Sequence, residues 1–298
     1  MARRPRGRPI HGWLVIDKPA GMTSAHVVAV VKRLMDARKA GHGGTLDPSA
    51  TGVLPIALGE ATKCMAFVVD GTKTYRFTVC WGQETETDDA EGAVTETAPG
   101  RPTGPEIEPA LARFRGDVSQ RPPAYSALKV AGRRAYALAR GGAPAVLAAR
   151  AVRVDRLALI GCPDPDHADL ELTCGKGFYV RSLARDLGRH LGTRGHLAAL
   201  RRLRVGPFTA EQAISLDKLK DLCDTPAALQ PLLPVQTALA DIPALAVTGA
   251  QAERLRSGQA VKALNARDGL VCVMSGQDPV ALAQVDDGTV RPVRVFNL

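Results

Sequence analysis

A glycine-rich stretch from Gly41 to Thr62 constrains this chain more than any other part of it. It opens with three glycines in four positions, and glycine permits backbone angles and close approaches that a Cβ atom would block. Asp47 follows, and Pro48 directly after it biases Asp47 towards extended or turn geometry. The apolar run Val53–Leu58 must then be buried. This pattern predicts a bent loop that presents one carboxylate and is anchored in a core on its far side.

An ordinary turn accounts for the same residues. An Asp before Pro often bonds its own backbone, and glycine clusters are usually loops. The residues of this stretch, taken as physics alone, leave both interpretations open.

Length and composition set the class of protein. The 298 residues are enough for a sizeable core and for two domains, one large and one small. The sequence has no apolar run of membrane-spanning length, and the basic N-terminus is not followed by the apolar segment of a signal peptide. Six scattered cysteines form no Cys-x-x-Cys pair, which argues against a zinc site and against a disulfide framework. We therefore expect a metal-free cytoplasmic protein.

The charge distribution indicates a polyanionic partner. The formal net charge is +9. Between Gly175 and Gly206 eight Lys or Arg stand against one acid, whereas between Gln83 and Glu108 eight acids stand against one Arg. This segregation predicts one face that binds phosphates and another that repels them. A solvated charged helix is the alternative for the basic stretch, although such a helix usually carries interleaved Glu.

Hydrophobic periodicity predicts an α+β fold, with a mixed or antiparallel central sheet flanked by helices. The predicted strands are Trp13–Ile16, Thr74–Trp81, Val152–Ile160 and Ala168–Cys174, the last two as an antiparallel pair. The predicted helices begin at Thr23 or Ser24, at Ile107, at Gly132, near Val180 and at Ser215. The acidic segment up to Gly104 is predicted to be an exposed loop. We expect a basic flexible tail over residues 1–10, a large domain over 11–238 and a small β-rich module over 239–298.

Four motifs resemble those of the tRNA pseudouridine-55 synthase family. The longest is Gly-His-x-Gly-x-Leu-Asp-Pro-x-Ala-x-Gly-x-Leu-Pro-x-x-x-Gly-x-Ala-Thr from Gly41. The others are Asp-Lys-Pro-x-Gly-x-Thr-Ser from Asp17, Lys-x-Tyr-x-Phe from Lys73 and Lys-Gly-x-Tyr-x-Arg-x-Leu from Lys176. The resemblance covers roughly residues 11–225, and the C-terminal part looks more weakly like the family's PUA-like RNA-binding appendage.

The resemblance implies catalytic roles for three residues. Asp47 matches the catalytic carboxylate, Tyr75 the aromatic residue that stacks on the target base, and Arg181 the cation that pairs with the carboxylate. Such an Arg would offset the desolvation of Asp47 and keep it charged.

Six further residues are predicted to form the substrate-binding surroundings. They are His42, Tyr179, Leu200, Lys18, Arg201 and Arg202. His42 is interpreted as contacting the nucleotide that is displaced from the RNA stack, or as filling the gap which that nucleotide leaves. A helix-capping or core role is equally compatible with its position in the sequence. Tyr179 would contact the base or hold Asp47, and Leu200 would be an apolar wall. The family's Lys-Pro pair supports the active-site loop, so Lys18 is interpreted as structural, whereas Arg201 and Arg202 belong to the basic face.

The implied activity is isomerisation of a uridine to pseudouridine in the TΨC loop of tRNA, position 55, by a monomer that flips the target base and uses no cofactor and no metal. Whether Asp47 attacks the ribose or base, or removes a sugar proton, stays open. One alternative is the guide-RNA-dependent relative that modifies ribosomal RNA, although the chain lacks long basic tails for particle assembly. Another is a non-catalytic RNA-binding or RNA-folding protein.

Overall fold

A computed structural model describes residues 7–126, 128–130, 132–143, 145–263 and 266–298. The strands are β1 Gly12–Lys18, β2 Ala40–His42, β3 Thr51–Leu58, β4 Lys73–Trp81, β5 Gln83–Thr85, β6 Val94–Thr97, β7 Gly116–Gln120, β8 Lys129–Val130, β9 Arg133–Arg134, β10 Arg150–Asp164, β11 His167–Cys174, β12 Gly195–Val205, β13 Phe208–Thr209, β14 Ala244–Ala246, β15 Val261–Lys262, β16 Gly269–Ser275, β17 Asp278–Asp286 and β18 Thr289–Val295. The α-helices are α1 Ser24–Leu34, α2 Met65–Asp70, α3 Gly104–Ala110, α4 Ala135–Arg140, α5 Val180–His190, α6 Leu216–Cys223 and α7 Gly249–Arg256. Residues 1–6 of the predicted tail lie outside the described residues.

The chain divides into two compact units. Unit 1 takes the chain up to Pro48, then Val53–Val69 and Val205–Leu298. Unit 2 takes Ser49–Gly52 and Asp70–Arg204. Both units are therefore assembled from separated parts of the sequence.

Unit 2 is built on a mixed sheet. Its strands run in the order β12, β4, β11, β10, β7, and β11 is antiparallel to both β4 and β10. The first two residues of β3 pair in parallel with Arg201 and Arg202 of β12. The apolar face of α5, which includes Leu183 and Leu187, lies in the core with Phe77 of β4. The predicted α+β class, with a mixed sheet and helices, is confirmed.

Unit 1 carries β1, β2 and β3 with helix α1. β1 neighbours β3, and β2 pairs antiparallel with β3. Thr23 is the N-cap of α1, because its side chain accepts a hydrogen bond from the backbone N–H of His26 at 3.1 Å. The apolar face of the helix packs on Ile16 and Leu54.

The C-terminal part of unit 1 is a small β-rich module, as predicted. Its five strands run in the order β14, β16, β17, β18, β15, and α7, which the sequence patterns did not predict, packs on them. The core of this module includes Leu255 of α7 and Val273 of β16. Cys272 of β16, Leu282 of β17 and Phe296 directly after β18 join a core with Trp13 of β1.

Two local predictions were wrong. The acidic segment after Gln83 is not an exposed loop, because β5 and β6 form a hairpin and Glu84 in it is only 4% exposed. Gly132 does not begin a helix, because its φ of +81° and the β8–β9 pairing make a hairpin there, so that α4 starts at Ala135. Among the helices of the described ranges, none has the length and apolar character of a membrane span.

Candidate active site

Asp47 lies in an irregular loop of unit 1 between β2 and β3. Its two neighbours in the chain, Leu46 and Pro48, are both held by hydrogen bonds. The buried Ser24 hydroxyl accepts a hydrogen bond from the N–H of Leu46 at 2.9 Å and donates one to its carbonyl at 3.0 Å. The carbonyl of Pro48 accepts a hydrogen bond from the N–H of Gly21 at 2.9 Å. The half-buried carboxylate is therefore carried by a backbone that cannot move freely.

Lys18 lies beneath the same loop. It is 0% exposed, and its ammonium group donates to the carbonyls of Pro19 at 2.8 Å, Met22 at 2.7 Å and Pro48 at 2.9 Å. An ammonium group has three donors, and three carbonyls surround this one. Grouping Lys18 with the substrate-binding residues does not fit this burial, because its ammonium group is engaged in holding the loop.

His42 ends β2, opposite Ile56 of β3, and is half-buried. Gly44 follows with a φ of +106°, which is strongly unfavourable for any residue that has a Cβ atom. The turn between His42 and the Asp47 loop therefore requires a glycine at position 44.

Tyr75 of β4 and Arg202 of β12 meet in unit 2. Arg202 is 1% exposed and donates a side-chain hydrogen bond to Tyr75, while burial lowers its pKa. Placing Arg202 on a phosphate-binding face was wrong, because the guanidinium is inside the protein. The parallel partner of Arg202 is Gly52, where an added Cβ would lie 2.2 Å from the Arg202 carbonyl oxygen. A glycine is therefore required at this position.

Leu200 and Arg201 precede Arg202 on β12. Leu200 is half-buried and packs against the unit 2 core, and its carbonyl accepts a hydrogen bond from the Thr51 hydroxyl at 3.4 Å. Arg201 is half-buried and pairs with Thr51 in the sheet. Because side chains alternate between the two faces of a strand, the strand geometry places Leu200, but not Arg201, on the face of Arg202.

Arg181 lies in the first turn of α5 and is held from several sides. Its guanidinium donates to the carbonyls of Thr87 and Tyr125, both at 3.0 Å. Its Nε lies 3.6 Å from a carboxylate oxygen of the buried Asp89. Sequence reasoning missed Asp89, although it stands in the acidic segment that the charge count had singled out.

Three other arginines of the basic stretch also pair with the acidic segment. Three pairs of this kind are Arg185–Asp88 at 2.8 Å, Arg189–Glu84 at 2.5 Å and Arg194–Glu96 at 2.7 Å. The prediction of one phosphate-binding face and one repelling face was therefore wrong for these residues: charges separated along the sequence are brought together in space, and each sign neutralises the other. Burial raises the pKa of Asp88 to about 6, although Arg185 opposes this shift.

A second basic segment was missed by the sequence reasoning. Residues 121–150 contain six Lys or Arg and no acid, and a count over this window would have found it. Arg133 and Arg140 in it are exposed. The Arg140 guanidinium lies over the ring of Tyr136, which is 40% exposed, at 5.8 Å from its centroid. Exposed arginines beside an exposed aromatic ring are typical of nucleic-acid contacts.

Tyr179, half-buried, is the residue before α5 and ends the glycine-containing loop that begins at Gly175. Tyr75, Tyr179, Arg181, Leu200, Arg201 and Arg202 therefore all belong to unit 2, whereas Lys18, His42 and Asp47 belong to unit 1. In the parts of the chain that the structure describes, no group of three or more His, Cys, Asp or Glu is placed to hold a metal ion.

Comparison with known proteins gives matches along the whole chain. Residues 32–180 match the model of the TruB family pseudouridylate synthase N-terminal domain. Residues 181–240 match the tRNA pseudouridylate synthase B C-terminal domain, and residues 243–296 match the pseudouridine synthase II TruB C-terminal model.

Individual relatives agree with the family models. The chain is 56% identical to the tRNA pseudouridine synthase B of Bradyrhizobium diazoefficiens, over 100% of this chain and 89% of the relative. It is 55% identical to the tRNA pseudouridine synthase B of Gluconacetobacter diazotrophicus, over 99% of this chain and 100% of the relative. Among solved structures, an H/ACA RNP bound to a substrate RNA containing 2′-deoxyuridine has a similar fold, with a TM-score of 0.75 and 24% identity over 100% of this chain and 92% of that one.

Proposed function

The chain belongs to the TruB family of pseudouridylate synthases, and we propose that it isomerises the uridine at position 55 in the TΨC loop of tRNA, with Asp47 as the catalytic carboxylate. The enzyme class is that of an isomerase, a pseudouridine synthase. The observation that carries the proposal is the loop of Asp47, which is fixed on one side through Ser24 and on the other through Lys18. A carboxylate held in this way meets the positional demand of catalysis.

The reaction requires one well-placed carboxylate and no external electrons. The bond between N1 of the base and C1′ of the ribose breaks, the base turns, and a bond between C5 and C1′ forms. C5 then loses its proton, and N1 gains one. Asp47 can act by attacking the ribose or the base or by removing a sugar proton, and each of these routes uses its ionised form.

Arg181 is proposed as the countercharge of Asp47. Its guanidinium is held by two backbone carbonyls and by Asp89, so its position is set before substrate arrives. A preorganised cation stabilises a carboxylate more effectively than one that must reorient.

The target base is proposed to leave the RNA stack and lie against Tyr75. Extrusion of a base costs a few kcal/mol, and stacking on an aromatic ring returns roughly 1–3 kcal/mol. The hydrogen bond from Arg202 to Tyr75 fixes the ring for this contact. Leu200 then supplies an apolar wall, and His42 and Tyr179 contact the displaced nucleotide.

The phosphates of the T arm are proposed to bind the exposed Arg133 and Arg140 of the basic segment 121–150. Arg201, which belongs to the basic stretch between Gly175 and Gly206, stays a candidate for phosphate contact.

We assign catalysis to residues 11–238 and RNA binding to the PUA-like module 239–298. This division is supported by the end of one family match at residue 240 and the start of the next at residue 243. The protein is proposed to act as a monomer in the cytoplasm.

Tritium release from a T-arm hairpin carrying 5-tritiated uridines tests this function. Release is expected without any guide RNA, and it should disappear when the loop uridine at position 55 is replaced by cytidine. Release that requires an added guide RNA would favour the guide-dependent alternative. Binding without release, from both the hairpin and full tRNA, would favour a non-catalytic role.

A further inference from the structure

Gln120 and Arg150 are opposite each other in unit 2, at the end of the β7–β10 ladder. β7 ends at Gln120, and β10 begins at Arg150. Both side chains contact the same short loop, the one that ends at Tyr179.

Gln120 binds both backbone polar groups of Tyr179. Its Oε1 accepts a hydrogen bond from the N–H of Tyr179 at 2.8 Å, and its Nε2 donates one to the Tyr179 carbonyl at 3.0 Å. The side chain is buried, so these bonds are shielded from water. One amide that satisfies both groups of a single residue fixes that residue in extended geometry, here with φ −116° and ψ 114°.

Arg150 acts on the ring of the same residue. Its guanidinium carbon lies 5.3 Å from the centroid of the Tyr179 ring, within the range of a cation–π contact. Its Nη2 donates to the carbonyl of Gly177 at 2.5 Å. Arg150 therefore constrains both the ring and the turn that leads into it.

We propose that Gln120 and Arg150 are positioning residues, which set the backbone and the ring of Tyr179 in the orientation that receives the target uridine. The role of Tyr179 in binding that uridine rests on the proposed function; the positioning itself does not. No substrate contact is assigned to either residue, so both act through Tyr179.

Fluorine NMR of protein labelled with 3-fluorotyrosine tests the positioning without any RNA. The chain has four tyrosines, so the resonance that disappears in Tyr179→Phe identifies Tyr179. Gln120→Met and Arg150→Lys are expected to shift or broaden that resonance. The matched control is Arg156→Lys, an exposed residue on the same strand, which should leave the resonance in place. An unchanged Tyr179 resonance in both test variants would overturn the proposal.

A double-mutant cycle then tests the link to the reaction. Gln120→Met and Arg150→Lys are expected to lower the single-turnover rate of pseudouridine formation by about 10- to 100-fold, with RNA affinity changed by no more than about threefold. In a Tyr179→Leu background the same changes should cause little further loss, because their effect passes through Tyr179. Equal losses in both backgrounds would mean a general structural role and would overturn the proposal.

A variant that fails to fold and a failure of the proposed function can each be distinguished from a failure of the positioning proposal. If Gln120→Met does not fold, Gln120→Glu replaces it, since the carboxylate keeps the acceptor and lacks the donor. If the wild-type protein forms no pseudouridine, the proposed function fails, and the NMR comparison still decides whether Gln120 and Arg150 position Tyr179.

Discussion

Asp88 is a carboxylic acid in the interior of unit 2, and its backbone has a φ of +62°. Burial raises its pKa from 3.8 to about 6, although the guanidinium of Arg185 is 2.8 Å away. The folded state therefore binds a proton more tightly than the unfolded chain does between these two values. Stability contributed by Asp88 must fall as the pH rises through this window.

The Asp88→Asn variant isolates this effect. The free energy of unfolding of wild type minus that of Asp88→Asn is expected to decrease by about 1–3 kcal/mol from pH 4 to pH 7, because only wild type must ionise a buried acid. Urea unfolding at a series of pH values measures the difference. A difference that rises with pH would contradict the burial-dominated account of Asp88.

Arg202 carries a prediction about catalysis. Arg202→Met removes the hydrogen bond to Tyr75, and replacing a buried charge by an apolar side chain is often neutral for stability. We expect the single-turnover rate to fall about tenfold while the salt dependence of RNA binding stays unchanged. Filter binding over a salt series together with rate measurements checks both expectations. A flatter salt dependence for Arg202→Met would restore a phosphate-binding role for this residue.

At the scale of elements, the C-terminal module shares a core with the first strand of unit 1. Phe296 is 1% exposed and lies in the same cluster as Trp13. The backbone N–H of Asn297 donates to Glu60 at 2.9 Å, and Lys63 donates to the carbonyl of Val295 at 2.7 Å. The C-terminal residues are therefore part of the packing of unit 1.

Truncation of Phe296 tests this packing. Phe296→Ala is expected to lower the free energy of unfolding by roughly 3–5 kcal/mol, because a buried aromatic side chain is removed and a cavity remains. Leu298→Ala, two residues later and 56% exposed, should change it by less than about 0.5 kcal/mol. Thermal or chemical unfolding of both variants makes the comparison. Similar small losses would show that the module packs independently of this core.

The arginines of α5 and those of segment 121–150 differ in their partners. All three of Arg133, Arg140 and Arg189 are exposed, but the guanidinium of Arg189 is paired with the buried Glu84, whereas that of Arg140 lies over the exposed ring of Tyr136. Replacing both Arg133 and Arg140 with Ala is expected to reduce the slope of log affinity against log salt by about 0.7–0.9 for each phosphate that these arginines neutralise. Arg189→Ala should leave that slope close to the wild-type value. A lower slope for Arg189→Ala, with an unchanged slope for the double variant of Arg133 and Arg140, would instead assign phosphate binding to α5.

These elements show what the sequence could and could not predict. The period-two alternation of Thr74–Trp81 and the helical spacing after Val180 report local geometry, so both elements appear where they were predicted. The pairing of Arg185 with Asp88 joins residues almost a hundred positions apart, and only the fold creates it. A count of charges along the chain therefore cannot distinguish a neutralised face from a binding face.

At the scale of the whole molecule, residues far apart in sequence are collected within each unit. Unit 1 fixes the loop of Asp47 through Ser24 and Lys18, and unit 2 fixes Arg181 through Asp89 and two carbonyls. The glycine-rich signature predicted a local turn from its residue types, and only its resemblance to the family singled out Asp47 as a catalytic candidate. The groups that support Arg181 come from two separate segments, one with Thr87 and Asp89 and the other with Tyr125, and no local pattern marks them.

Asp47 is proposed to supply the reactive carboxylate. The most direct measurement is the single-turnover formation of pseudouridine on a T-arm hairpin by wild type and by Asp47→Asn, with RNA affinity measured in parallel. Asp47→Asn keeps the size of the side chain and removes its charge, so we expect the rate to fall by more than about 100-fold with affinity within a few-fold of wild type. The exposed Asp278→Asn should match wild type in both. Full activity of Asp47→Asn would contradict the account.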